Sequence, residues 1–235
     1  MTGLLVSVRS AEEALVALEG GADVVDVKEP RNGALGAAEV RVWREVLGVL
    51  KGRVTASVAL GELLDDESEA LAGEACGFSF AKIGFAGCEG ISDWDSRWER
   101  VIETLPVGVE AVPVAYADWG NAKSPQAGEI LALAQKSAAR MMLIDTFDKS
   151  AGALLDFLPV ERLRGIARQA ARRGVRLALA GSLMARSIEQ GLELAPAYVG
   201  VRGAACVGGR DGAIDLGRVK SLAEVVRGER RKTAS

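Results

Sequence analysis

Two lysines close short apolar runs, Lys28 in VVDVKEP and Lys82 in FAKIGF. A charged amine at the end of a buried strand is costly unless it is paired or does chemistry. The 235-residue chain contains no histidine, so the usual acid and base of neutral pH is missing. Acid–base or nucleophilic work then falls to lysine, carboxylate, tyrosine or cysteine. A lysine amine is protonated at its ordinary pKa of about 10.4 and in that form attacks no carbonyl. Burial and a neighbouring cation both favour the neutral amine. Lys28 and Lys82 could do this to each other if they face one cavity. A carboxylate beside either, Asp26 or Asp145, would work in the opposite sense and hold an ammonium in place. The same groups also read as buried Lys–Asp ion pairs that orient a rim and catalyse nothing.

Positioning these groups requires elements, and the chain supplies them in alternation. LLVSV, VVDVK, VTASV, FSFAKI, VEAVPVAY, MMLID, RLALA and AYVGV read as short buried strands. Amphipathic helical stretches follow each of them, from AEEALVALEG after the first to DLGRVKSLAEVVRG after the last. Eight such units in a chain of this length match a single-domain (β/α)8 TIM barrel better than an open doubly wound sheet. The catalytic domain is expected over 1–227, with the polar run 228–235 fraying into solvent.

Composition narrows the class. Hydrophobic residues make up 49% of the chain, enough for a sizeable core, and the net charge of −3 gathers no nucleic acid. Three scattered cysteines (Cys76, Cys88, Cys206) lack zinc or disulfide spacing, and no carboxylate cluster has ligand spacing, so no metal or other cofactor is expected. The N-terminal stretch has neither signal-peptide nor membrane-span character. A cytoplasmic enzyme is expected, with a small-molecule substrate, no membrane partner, and a homo-oligomeric state. Trp43, Trp94 and Trp98 sit at helical positions and should pack or face a subunit interface. The arginine run RGIARQAARRG reads as a solvated helix face.

In TIM barrels the reacting groups come from the C-terminal ends of the strands. Asp26 and Lys28 end strand two, and their i, i+2 spacing puts both on one face with Val25 and Val27 on the other. Lys82 ends strand four, Tyr116 and Asp118 follow strand five, and Asp145 with Lys149 follow strand six. Gly181 and Ser182 follow strand seven; Arg202, Gly203 and Ala204 follow strand eight. Glycine-rich turns at those two places offer backbone N–H groups to a phosphate, and they also serve as plain geometry. Arg202 is the bidentate phosphate candidate, whereas GGRDG further on reads as an ordinary turn.

The segments VVDVKEPRNGALGA, FAKIGF, AYADW, LIDTFDK, ALAGS and VGVRGAACVGGRDG resemble, in order and spacing, the (5-formylfuran-3-yl)methyl phosphate synthase family. The resemblance runs from the first strand to the last helix. It implies a TIM-barrel enzyme that condenses two molecules of glyceraldehyde 3-phosphate into a phosphorylated furan aldehyde, with loss of phosphate and water. That product would serve methanofuran or a bacterial analogue. By position, the resemblance implies Lys28 as the Schiff-base lysine and Lys82 as the proton-transferring one. It further implies Asp26 and Asp145 as the site carboxylates and Lys149 as a third lysine; Asp118, from its place after strand five, is a substrate-binding candidate. Another class I aldolase acting on a sugar phosphate, or a non-catalytic phosphosugar sensor, would keep many of the same residues.

Overall fold

A computed structural model describes residues 1–228; beyond Gly228 the expected tail lies outside the described residues. Eight parallel strands pair in chain order and close on themselves, β8 against β1. They are β1 Gly3–Val8, β2 Val24–Val27, β3 Thr55–Glu62, β4 Phe80–Gly84, β5 Glu110–Tyr116, β6 Met141–Asp145, β7 Arg176–Leu179 and β8 Tyr198–Val201. Around them lie α1 Ala11–Glu19, α2 Val40–Leu50, α3 Ser68–Gly73, α4 Trp94–Thr104, α5 Trp119–Ala122, α6 Ala127–Lys136, α7 Leu154–Phe157, α8 Val160–Arg172, α9 Ala185–Leu192 and α10 Leu216–Arg227. This is the (β/α)8 barrel expected from the alternation, with α5 and α7 as short extra turns after β5 and β6. No helix among the described residues is long and apolar enough to cross a membrane.

Strands β2 and β6 are buried on both faces, which is why VVDV and MMLID run apolar without alternation. Helices obey the opposite rule and bury one stripe: α2 turns Trp43, Val46 and Leu50 inward. The arginine-rich α8 buries Leu163 and Ala170 and exposes Arg168 and Arg172. Val25, Val27, Trp43, Trp98 and Ile144 belong to the layer between barrel and helices. A second, inner cluster fills the barrel with Leu35, Ala59, Val112, Val114, Tyr116, Leu143 and Ala178. Ser10 starts α1 by accepting from the Glu13 N–H, and Asp215 starts α10 by accepting from the Arg218 N–H.

One sequence expectation changes here, and an open one is decided. Strand β3 runs on past VTASV to Glu62, with an irregularity in its pairing to β4 between Ala59 and Glu62 and Gly61 at φ +91°. The extension carries Glu62 onto the rim, where the sequence suggested only a loop. Of the two roles open to the tryptophans, Trp43 and Trp98 take packing: both are fully buried within this chain. Trp43 meets Phe78 edge-on at 5.8 Å, and Trp98 lies against Phe85 at 5.6 Å. Trp98→Ala should therefore cost about 3–5 kcal/mol in urea unfolding.

Candidate active site

Barrel register assembles the site before any side chain is considered. Pairing sets Ser7, Asp26 and Ser57 in one row across β1, β2 and β3. Lys82 stands opposite Ala59, the next inward position along β3. The Asp26 carboxylate, wholly buried, accepts from Ser7 Oγ at 2.8 Å and Lys82 Nζ at 2.6 Å on one oxygen. Its other oxygen accepts from Ser57 Oγ at 2.5 Å. Burial alone would raise the Asp26 pKa. The charges of Lys82 and Lys28 and the bonds from Lys82 and Ser57 outweigh it and hold the carboxyl below its ordinary value.

A second pair forms on β6. Asp145 lies across from Tyr116 on β5, and its carboxylate accepts from Lys149 Nζ and, at 2.7 Å, from the Thr146 N–H. Lys149 also donates to the Thr146 carbonyl and hydroxyl, the latter at 3.2 Å. Here too burial pushes the Asp145 carboxyl up, and the Lys149 and Lys28 charges with these bonds bring it below the ordinary value.

Lys28 is left without a carboxylate contact. Its Nζ donates to the Ala34 carbonyl at a long 3.4 Å and makes no other hydrogen bond among the described residues. Burial is the largest influence on it and lowers its pKa; the Lys82 and Lys149 charges push the same way. The Asp145 charge, second only to burial, pushes back with a smaller contribution from Asp26, and the balance stands at about 7, far below a free lysine. The sequence left open which lysine has the lower pKa; burial without a carboxylate contact brings that of Lys28 down to about 7.

These groups open onto a cavity of about 400 Å³, whose far wall is the two glycine-rich turns. Gly181 (φ +103°) and Ser182 (φ +52°) occupy the left-handed region. A Cβ at Gly181 would come within 3.1 Å of the Thr146 backbone nitrogen, so glycine is required there. None of the N–H groups of Gly181, Ser182, Gly203 and Ala204 is taken by a hydrogen bond within the described protein. Four free N–H donors on a cavity wall are what an anion needs.

Two other sequence candidates hold the frame instead. Asp118 accepts from the N–H groups of Phe147 at 2.7 Å and Asp148 at 2.9 Å, fixing the loop after β6. Arg202 lines the cavity, but its guanidinium is committed elsewhere. It donates to Glu13 at 2.9 and 3.2 Å, to the Ser7 carbonyl at 2.9 Å, and to the Arg210 and Gly212 carbonyls at 2.7 and 3.3 Å. It seals β8 to β1 and α1, with little left for a phosphate. Arg210 and Arg218, which sequence reasoning passed over, also line the cavity and have no carboxylate partner. The signal for Arg210 was an arginine in a glycine-rich turn directly beyond a rim strand. Half-buried Glu62 and buried Tyr116 form a further pair, the phenol donating to the carboxylate at 2.5 Å. Burial raises both pKa values, and the Glu62 charge raises that of Tyr116 further.

Fold and mouth together define a single-domain (β/α)8 barrel with a lysine-rich mouth and two glycine-rich turns whose N–H groups are free. Among the described residues no group of three or more His, Cys, Asp or Glu could hold a metal ion. The family model for 4-HFC-P synthase matches residues 4–223, and the chain belongs to that family, an enzyme of the lyase type. It is 33% identical over 231 residues to (5-formylfuran-3-yl)methyl phosphate synthase of Methanothermobacter thermautotrophicus, covering 95% of this chain and 98% of that protein. The Methanopyrus kandleri synthase is 32% identical over 232 residues, covering 95% and 98%. In fold it is similar to phosphoribosyl anthranilate isomerase from Thermotoga maritima (TM-score 0.68, 15% identity, 97% of this chain and 100% of that one). Thiamine phosphate pyrophosphorylase from Pyrococcus furiosus shares the fold at TM-score 0.64 and 13% identity, covering 97% and 96%.

Asp26→Asn would leave the Lys82 ammonium buried without its counter-charge. At neutral pH the variant should lose about 3–5 kcal/mol in urea unfolding. Because the Asp26 pKa is lowered on folding, its contribution is present above the ordinary carboxylate pKa of about 3.9 and is lost as pH falls through the folded value. The gap between wild type and variant should therefore be full at pH 7 and shrink only in acid. An equal gap at every pH would show that the charge is not what matters.

Proposed function

We propose that the protein condenses two molecules of glyceraldehyde 3-phosphate into (5-formylfuran-3-yl)methyl phosphate through a Schiff base on Lys28. The atoms balance with one phosphate and two waters lost. The observation that carries this reading is Lys28 itself, the amine at the mouth with no carboxylate contact and a pKa brought down to about 7. The names of the relatives support the product, and the balance of charges supports the chemistry.

The Lys28 amine adds to the carbonyl of one triose phosphate and, after loss of water, gives an iminium that acidifies the adjacent C–H. Lys82, held by Asp26, and Lys149, held by Asp145, are placed on the cavity wall to pass protons during the aldol step and the eliminations that make the ring aromatic. Water must be kept from the iminium, and the walls help: Leu5, Leu143, Ala178 and Val201 line the cavity beside the lysines. The free N–H groups at Gly181–Ser182 and Gly203–Ala204 hold a phosphate. The product belongs to the route to methanofuran or its bacterial analogue.

Incubation of wild type with glyceraldehyde 3-phosphate should give a furan chromophore, stoichiometric phosphate and the product mass. Lys28→Arg should lose this activity by at least a thousandfold and Lys82→Arg by about a hundredfold or more. Borohydride should trap an adduct that peptide mapping places on Lys28. Since only the free amine attacks, adduct formation should rise from pH 6 to pH 8 and level off above about 8. An adduct without a furan would indicate a different aldol reaction; no adduct and no furan would refute the Schiff-base reading.

A further inference from the structure

A condensation of two triose phosphates brings two phosphate groups to one barrel mouth. Beside the main cavity lies a second cleft of about 550 Å³, between the loop after β2 and the loop after β6. Gly33, Ala34, Asn121, Phe147 and Ser150 form its sides. Lys149 and Arg210 line the cleft and the main cavity alike, so the two spaces share a cationic partition. Ala34, whose carbonyl receives the Lys28 amine, stands at the same junction.

Arg210 is the distinctive member. It reaches from the turn after β8, pinned by an antiparallel bridge between Cys206 and Ile214, across to the loop after β2. There one terminal nitrogen, Nη2, donates to the carbonyls of Pro30 at 3.1 Å and Gly33 at 3.4 Å. Its Nε and Nη1 have no protein acceptor, and it forms no ion pair among the described residues. Arg202, by contrast, is saturated. The one carboxylate on the cleft wall, Asp148, turns an oxygen into its own loop, toward the Ser150 N–H at 2.9 Å and hydroxyl at 2.6 Å. Arg218, likewise without a partner, lies in the first turn of α10 and lines only the main cavity, on the side of the Gly203–Ala204 turn.

We propose that this cleft seats the second triose phosphate, with Arg210 as its phosphate anchor, while the glycine turns and Arg218 hold the first. The inference rests on the two-triose reading given above. It assigns one unpaired arginine to each phosphate and brings the second triose to the Lys28–Lys149 junction, where the carbon–carbon bond would form. A planar guanidinium with free N–H donors suits a phosphate dianion, and the loss of one such charge-assisted contact weakens binding by about 10- to 100-fold.

Glycerol 3-phosphate tests this without chemistry, since it carries the phosphate but no carbonyl for Lys28. In calorimetric titration wild type should bind two equivalents. Arg210→Gln should keep one at wild-type affinity and weaken the other by 10- to 100-fold, whereas Arg218→Gln should weaken the complementary one. Arg210 also supports the loop after β2, so Asn121→Glu provides an independent variant. It places a negative charge in the cleft without touching that loop and should weaken the same equivalent. Wild type binding only one equivalent, or both variants keeping two at full affinity, would overturn the site even if furan is made. Two equivalents, of which one depends on Arg210 and the other does not, would uphold it even if the wild type makes no furan from glyceraldehyde 3-phosphate, a result that would count against the reaction alone.

Discussion

Burying a lysine amine costs its hydration, and the protein meets that cost differently for each of the three lysines that converge on the barrel mouth. Two have carboxylates: Lys82 on Asp26 and Lys149 on Asp145. Lys28 has only a distant carbonyl, and the two neighbouring ammonium groups oppose a third positive charge. The neutral amine is the state that burial and those neighbours favour. This has a consequence for stability. An unfolded chain holds the Lys28 proton up to about pH 10.4, whereas the folded one releases it near about 7. Above that value the unfolded state binds more protons, so this position costs stability at neutral pH and costs less as pH rises toward 10.4. A group that weakens the fold under working conditions is what a reactive amine looks like thermodynamically.

The rest of the mouth serves that imbalance. Asp26 could not remain charged in the barrel interior without two serines and a lysine around it, and the sheet register delivers all three. Thr146 does the same for the second pair, giving its N–H to Asp145 and its hydroxyl and carbonyl to Lys149. Arg202 and Asp118 act at one remove. The first ties β8 to β1 through Glu13, and the second fixes the loop from which Lys149 projects. Arg210 and Arg218 remain as positive charges without counter-charges of their own, on an enzyme proposed to handle two phosphates.

Much of this was legible in the residues. The eight alternating units give the barrel, and period-two spacing places Asp26 and Lys28 inward together. What could not be read was pairing across strands. Ser7 and Ser57 are ordinary residues in their own segments and become ligands of Asp26 only through the register of β1, β2 and β3. The irregular end of β3, which places Glu62 under the Tyr116 hydroxyl, is equally a property of the sheet. The two arginines exchanged roles for a similar reason. Arg202 stands at the end of β8, but the half-buried Glu13 of α1 lies within reach and takes it, so the arginine without a carboxylate in the following turn is Arg210.

The central claim is that Lys28, buried without a carboxylate contact, releases its proton near neutral pH. Its side-chain nitrogen can be followed directly by NMR in protein carrying 15N-labelled lysine, with Lys28→Met identifying the resonance. The account predicts a titration midpoint near about 7, shifting downward in Asp145→Asn as a supporting negative charge is removed. A midpoint near 10, like that of a solvated lysine, would contradict it.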